Sequence, residues 1–394
     1  MRKNILYLDV NSNLGGAERR LLTEVRCIDK DIFSITVGLL SEGPLSEELR
    51  KFGIPYVVFP CNKGFLRLSK ERLRFASLFS FPLAFFSSVL LAFRISTFII
   101  NNNVDLIITY SFKMHLISFL LHLTGKDIIW QYCDLLPENK ILRKTVLLLS
   151  RMIPVGIITN SRYVKGQFLQ HGISREVETV HDGFILSEFQ YNEGERERYR
   201  NEFGMNPDSF CVGCIGVLVE WKGQENLIKA ARVLKDKIPN LKVFIIGGMI
   251  YDTDTVDTKE KLLTLVKELN LEDIITFTGF IKENKKIICA LDIIVHAPVR
   301  PEPFGRVIVE GMLCGRPVIA TAAGGPLEII QDNVTGKLVP PKNPEKIAEV
   351  IMDLYSNANK RKLLGEQGRR YAQEHFDALK QTAAIEDFYL EIIN

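Results

Sequence analysis

An α/β protein of two domains, each a parallel sheet covered on both faces by helices, is predicted by three features of the sequence. The chain has 394 residues, more than one hydrophobic core usually supports. Short β-rich runs alternate with segments of helical period along its length, the pattern of parallel strands joined by crossover helices. The alternation is interrupted once, by a polar, charged stretch at residues 190–209 that has no strand pattern and suits a short helix.

In the first half, strands are read at residues 5–10, 33–40, 55–59, 105–110, 127–132 and 155–159. A second series follows at 211–218, 241–248, 274–280, 292–297 and 316–321. The boundary falls near residue 185, giving an N-terminal domain of residues 1–185 and a C-terminal domain of residues 186–377. Helical segments dominate from Pro344 onward, and the last, about residues 378–394, is expected to pack back on the N-terminal domain. The two halves resemble each other in pattern, as two Rossmann-like units would.

Composition excludes some classes. With 46% hydrophobic and 25% charged residues and a net charge of +3, the chain is a globular protein and not a strong nucleic-acid binder. The basic start runs straight into a strand without the small-residue cleavage pattern of a secretory signal, so a cytoplasmic location is expected. The seven cysteines are scattered. Cys211 and Cys214 alone have CxxC spacing, inside an apolar strand-like run where buried thiols are expected and zinc is not. The six histidines show no metal-ligand spacing. The acidic run Asp252 to Asp254 reads as a solvated loop, so no metal site is expected.

Residues 75–93 carry no charge, which approaches the length of a membrane span. Pro82, four serines and a position between strands of a continuous α/β pattern argue instead for a well-buried crossover helix pair. Lys63, Arg67, Lys70, Arg72 and Arg74 stand just before it, and basic residues beside an apolar face suit an anionic membrane surface, at the inner face of the plasma membrane for a cytoplasmic protein.

The most informative stretch is residues 301–330. A strand leads to Glu302, Phe304 and Gly305, and a helix from about Gly305 to Cys314 carries Glu310. Glycine at a helix start lets backbone N–H groups approach a diphosphate, whose charge the helix dipole favours. Glu310 lies ~8 Å along the axis from Gly305, within reach of a ribose joined to that diphosphate. Glu302, ahead of the helix, lies where a sugar would be. A second strand-to-helix turn at residues 216–228 presents Lys222 immediately before Gly223. A cation at a helix start opposes the dipole, so a balancing anionic ligand is the better explanation for it. In the first half, Gly15 and Gly16 follow the first strand without forming GxGxxG, so the dinucleotide fingerprint is absent.

Taken together these residues resemble family 4 of the glycosyltransferases. The matching features are the E-x7-E pair Glu302 and Glu310 inside PEPFGRVIVEGM, the following GRPVIAT and GGPLEII, and the TGxLV turn at residues 335–339. GGAE after the first strand, Asn160-Ser161, Asp182-Gly183 and WKGQ at residues 221–224 fall in family order. The resemblance implies the GT-B fold, two Rossmann-like domains facing each other across a cleft. It also implies a retaining, metal-independent hexosyltransferase that needs no cofactor, its donor a nucleoside-diphosphate sugar, most commonly of uridine. By the same resemblance Glu302 would hold the donor sugar, the amides of Phe304, Gly305, Arg306 and Val307 would bind sugar and diphosphate, and Glu310 would hold the ribose. Lys222 would neutralise the departing phosphate, Phe280 would edge the base, and Gly15 and Gly16 would line the diphosphate from the acceptor side. Asp134 and His115 are the acceptor candidates, His115 lying on a predicted helix where packing at the surface is the commoner role. His181 and His296 lie near the predicted cleft edges.

Two positions depart from the family pattern. Val217 stands where many members have arginine, and Cys133 precedes Asp134 where many have histidine. The expected acceptor is a saccharide or lipid-linked saccharide in polysaccharide biosynthesis. A soluble small acceptor, or a non-catalytic nucleotide-sugar-binding protein, are the alternatives.

Overall fold

The computed structural model describes residues 2–10, 12–61, 80–173, 176–189, 193–248 and 255–393. They form two units, one of residues 1–184 with 378–394 and one of residues 185–377.

Among the described residues the first unit is built on seven parallel strands: β1 (Lys3–Leu8), β2 (Phe33–Leu39), β3 (Tyr56–Val58), β4 (Leu106–Thr109), β5 (Asp127–Tyr132), β6 (Gly156–Thr159) and β7 (Val177–Thr179). Their order is β3-β2-β1-β4-β5-β6-β7, with Lys3 opposite Phe33 and Ile5 opposite Leu106. Because side chains alternate along a strand, Leu6 and Leu8 enter one buried cluster with Ile107, Ile128 and Trp130, whereas Ile5 and Tyr7 enter another with Ile108, Ile129 and Ile158. Burial on both faces accounts for the nearly continuous apolar character of these strands.

The second unit has six strands, β8 (Phe210–Ile215), β9 (Leu241–Ile246), β10 (Ile275–Gly279), β11 (Ile293–His296), β12 (Val318–Thr321) and β13 (Lys337–Val339), in the order β10-β9-β8-β11-β12-β13. Strand order reverses between β8 and β11, where Ile293 pairs with Val212. Beyond the carboxyl ends of two such strands their outgoing loops diverge and leave a crevice. The polar stretch ahead of this unit contains the helix Glu193–Glu202. β7 and β13, absent from the sequence reading, are three-residue edge strands, too short to display an alternation of their own.

The expectation of a well-buried helix pair at residues 75–93 is corrected in its described part. Residues 80–101 form a single helix, Ser80–Asn101. Leu91, Ala92, Ile95 and Ile99 face the core, but Phe86, Leu90, Phe93 and Ile100 are exposed. The segment is apolar on both sides, so periodicity could not tell the inner face from the outer. No helix among the described residues is long and apolar enough to cross a membrane. Lys63, Arg67, Lys70, Arg72, Arg74 and the run Asp252 to Asp254 lie outside the described residues.

The C-terminal helix Ala378–Ile393 belongs to the first unit and is held there by a buried polar network. The Glu24 carboxylate accepts hydrogen bonds from Tyr389 (2.7 Å), Tyr7 (2.9 Å), Gln131 (3.1 Å) and Tyr110. One turn earlier, Arg20 donates to Asp182 (2.8 Å), the Val180 carbonyl (2.8 Å) and Gln131 Oε1 (3.0 Å). Burial pushes the Glu24 carboxyl up, opposed by Arg20 and the three tyrosine hydroxyls. A carboxylate so enclosed is tolerable because its lone pairs are satisfied. Replacing Tyr389 by Phe removes one donor while keeping the ring. It is expected to lower the stability of the first unit by ~1–2 kcal/mol, read as a shift of the urea midpoint with an unchanged slope.

Candidate functional site

The residues singled out in the second half converge on the loops that leave β8 and β11. β8 ends at Gly216, and the chain passes through one short helical turn, Glu220–Lys222, to Gly223. Gly223 has φ +68°, and a Cβ there would stand 1.9 Å from the Ala297 carbonyl oxygen. Only glycine permits that approach. The loop is tied to its neighbour by a hydrogen bond from the Val299 amide to the Trp221 carbonyl (2.9 Å). Lys222 is thereby turned back over Gly216, its ammonium 4.2 Å from the centre of the Trp221 ring. The Arg300 guanidinium also lies over Trp221, at 4.9 Å.

The loop after β11 is fixed from the opposite side. Glu302 forms a bridge with Gly324, and its carbonyl accepts from the Gly325 amide at 2.8 Å. Gly324 has φ +78°, and a Cβ there would stand 2.3 Å from the Glu302 carbonyl oxygen. The glycine pair of GGPLEII is therefore a support for the PEPFG loop. Phe304 is buried, its ring edge-on to Phe376 at 5.9 Å.

Lys222 and Glu302, 80 positions apart in sequence, form an ion pair of 2.7 Å with both side chains largely buried. His296, at the end of β11, brings Nε2 to 3.2 Å from the same Glu302 oxygen, a close contact off the angle of a well-formed hydrogen bond. Burial by itself would raise the Glu302 pKa, but Lys222 and His296 outweigh it and hold the carboxyl down to about 2. Glu302 is thus an anion at any physiological pH.

Gly305, with φ 105°, precedes the helix Arg306–Leu313 and offers it no side-chain cap. The first N–H groups of a helix have no partner within it, and here they belong to Arg306 and Val307, which are half-buried. Glu310 is buried one turn further along and accepts from Asn284 Nδ2 at 3.3 Å. Phe280 is exposed just past β10, its Cβ 3.1 Å from where a Cβ of Gly248 would stand. These groups lie along one carboxyl-end rim of the second sheet, from β10 through β8 to β11.

The sequence reading missed Asn284 and Arg300. Neither sits in a motif, and their partners Glu310 and Trp221 are 26 and 79 positions away. Val217, one of the two departures, contributes only its carbonyl, which accepts from Gln224 at 2.9 Å.

The remaining candidates lie in the first unit. Gly15 caps the helix Gly16–Cys27 with extended backbone. Asp134 is exposed beyond β5 and accepts from the Leu135 amide at 2.8 Å. Burial pushes the neighbouring Cys133 thiol up, more than Arg20 lowers it, so it is no base near neutral pH. His181 lines a small cavity with Arg20, Glu24 and Gln381. His115 corrects the expectation of a surface histidine. It is buried, stacked on Trp130 at 4.8 Å and Tyr132 at 5.3 Å, with Nδ1 2.7 Å from Thr109 Oγ1. An aromatic slot of the core holds it, and that position speaks against contact with an acceptor.

The chain is similar to proteins already known. Residues 195–371 match the family model described as Glycosyl transferases group 1. An uncharacterised glycosyltransferase of Methanocaldococcus jannaschii is 30% identical over 238 residues, 60% of this chain and 59% of that protein. A GDP-mannose-dependent alpha-(1-6)-phosphatidylinositol monomannoside mannosyltransferase of Mycolicibacterium smegmatis is 28% identical over 225 residues, 55% of this chain and 57% of that protein. The chain thus spans less than two thirds of the length of these curated relatives. Among solved structures, Anabaena HepE in complex with UDP-glucose superposes with a TM-score of 0.86 at 25% identity, covering 98% of this chain and 99% of HepE. The fold class is GT-B, two Rossmann-like parallel-sheet units.

Two consequences can be measured in the second unit. The Glu302 carboxyl titrates near 4.5 when unfolded and at about 2 when folded. Its contribution is therefore complete above about pH 4.5 and lost as pH falls through about 2. Glu302→Gln is expected to cost ~3 kcal/mol near pH 7, since it also leaves Lys222 without its counter-ion. The gap to the parent protein should close toward pH 2 in urea titrations, and a pH-independent gap would contradict the ion pair. Gly324→Ala is expected to cost at least ~2 kcal/mol, since it adds both strain at positive φ and a clash with the Glu302 carbonyl.

Proposed function

We propose that the chain, whose residues 195–371 form a group 1 glycosyltransferase domain, is a retaining hexosyltransferase of glycosyltransferase family 4. It takes a uridine-diphosphate sugar and transfers the hexose to a saccharide or lipid-linked saccharide acceptor in polysaccharide biosynthesis. The observation that carries this reading is the Lys222–Glu302 pair at the mouth of the helix Arg306–Leu313. It places a cation, a permanently ionised carboxylate and the first amides of a helix on neighbouring loops.

Each group has a distinct task. The amides of Gly305, Arg306 and Val307 bind the diphosphate, assisted by the helix dipole. Glu302 accepts hydrogen bonds from the sugar hydroxyls, and Glu310, steadied by Asn284, accepts from those of the ribose. Phe280 offers an exposed ring at the edge of the base. As the donor enters, its β-phosphate competes with Glu302 for Lys222, so the ammonium passes from one anion to another without becoming desolvated and unpaired. The acceptor hydroxyl attacks the anomeric carbon on the face the phosphate leaves. The carbon–oxygen bond to the β-phosphate breaks, and the departing phosphate oxygen takes the acceptor proton. Lys222 and the helix amides stabilise the charge that develops on the diphosphate, a preorganised electrostatic contribution that needs neither a covalent nucleophile nor a metal.

The UDP assignment is supported by the similarity to HepE, which binds UDP-glucose. The GDP-mannose-dependent mannosyltransferase names the competing base. Purified protein incubated with a panel of UDP- and GDP-sugars is expected to release UDP, with retained anomeric configuration by NMR. Lys222→Ala and Glu302→Ala are each expected to lower turnover by about 100-fold or more while circular dichroism stays unchanged. Glu310→Ala is expected to raise the donor KM by about tenfold, the cost of one charged hydrogen bond, with a smaller effect on kcat. Near-normal turnover by the Lys222 variant would overturn the mechanism.

A further inference from the structure

A second surface, on the first unit and distinct from the nucleotide chemistry of the second, stands out in the distribution of exposed apolar side chains. The helices Ser80–Asn101, Phe112–Leu121 and Lys140–Met152 pack side by side in that order. The first and third bury one face against the sheet and leave an apolar stripe outside, and on the second Phe119 is exposed between them. On the first helix, Phe86, Phe93 (70% exposed) and Ile100 recur at helical spacing opposite the buried Leu91, Ile95 and Ile99. Leu123, just past the second helix, is 83% exposed. On the third, Ile141 (75% exposed), Leu148 and Met152 fall on one line, opposite the buried Val146, Leu147 and Ser150. Lone exposed leucines are ordinary, but aligned stripes on two helices that flank a third, with Phe119 and Leu123 exposed between them, mark an interaction surface.

Charge identifies the partner. The helix Lys140–Met152 carries Lys140, Arg143, Lys144 and Arg151 and no acidic residue. Lys144 lies in the apolar stripe itself, with Lys140 and Arg151 on its flank, and all three are exposed. Lys140 and Arg143 stand in the first turn and Lys144 directly after it, near the positive end of the helix dipole, where cations destabilise the helix. Asn139 already accepts from the Ile141 and Leu142 amides at 2.9 and 3.2 Å, so a small anion at the helix end is not what these residues serve. Cations placed against the dipole, interleaved with exposed aliphatic side chains, are complementary to a broad surface that is both negative and greasy.

We propose that this three-helix face docks on an anionic phospholipid surface, the apolar stripes entering the headgroup boundary while Lys140, Lys144 and Arg151 meet lipid phosphates. The docking does not depend on the sugar-donor chemistry and is measured without a sugar nucleotide. Its failure would therefore leave the transferase reading intact, and the converse holds.

The test is co-sedimentation of the full chain with vesicles of phosphatidylglycerol and phosphatidylcholine, against vesicles of phosphatidylcholine alone. Binding is expected only to the anionic vesicles, and it should be released at high salt. The pair Lys140→Ala and Lys144→Ala is expected to weaken binding roughly thirtyfold, at ~1 kcal/mol per cation. The pair Ile141→Ser and Met152→Ser removes the apolar contribution and is also expected to weaken binding, with UDP affinity unchanged in both variants. The proposal is overturned by absence of binding to anionic vesicles or by equal binding of the variants. It is equally overturned if Ile141→Ser splits a dimer in sedimentation velocity, which would assign the face to a second copy of the chain.

Discussion

The geometry of the second unit depends on keeping Glu302 buried and ionised in one place. A lone carboxylate in that position would protonate. Lys222 prevents this, and to do so it must arrive from a different loop at hydrogen-bonding distance. The backbone follows from that requirement. Gly223 lets the Lys222 loop press on the Ala297 carbonyl, and Gly324 lets a third segment press on Glu302 from behind. Three loops from β8, β11 and β12 are locked together around a single charge. The helix that starts at Gly305 inherits its direction from the same clamp.

The first unit solves the burial of charge by other means. Glu24 is enclosed by three tyrosine hydroxyls and an amide, and Arg20 has its own carboxylate in Asp182. One of those hydroxyls comes from Tyr389, so the last helix is bound by its apolar contacts and also by a buried hydrogen bond. Burial raises the Glu24 carboxyl more than Arg20 and the tyrosine hydroxyls lower it, whereas Lys222 and His296 outweigh burial at Glu302. The two glutamates of this protein show the opposite outcomes of equal burial.

Much of the fold was legible because β1, β2, β4, β5, β8, β9 and β11 are buried along most of their length on both faces and are therefore mostly apolar, in short runs that alternate with longer helical segments. The E-x7-E spacing likewise placed Glu302 and Glu310 at the two ends of one helical turn and its entry, a relation set by local geometry. Legibility failed where the pattern carried no contrast. The Ser80–Asn101 helix is apolar inside and out, so its exposed Phe93 was indistinguishable from its buried Ile95. His115 lies on a helix that is apolar almost all round, and only the stacking of Trp130 and Tyr132 shows that it faces the core. Val177–Thr179 and Lys337–Val339 are strands solely because a longer neighbour pairs with them.

By itself the sequence determined whatever depends on near neighbours in the chain: the alternation of strand and helix, the glycines at strand ends, the helix that follows Gly305, and the resemblance those motifs carry. Tertiary structure alone decided which distant groups meet. Lys222 reaches Glu302, Asn284 reaches Glu310, Tyr389 reaches Glu24, and the helices Ser80–Asn101 and Lys140–Met152 set their apolar stripes on either side of a third. The physical reason is that a hydrogen bond or ion pair acts over about 3 Å, and nothing in local periodicity records which of two residues far apart in the chain will come within it.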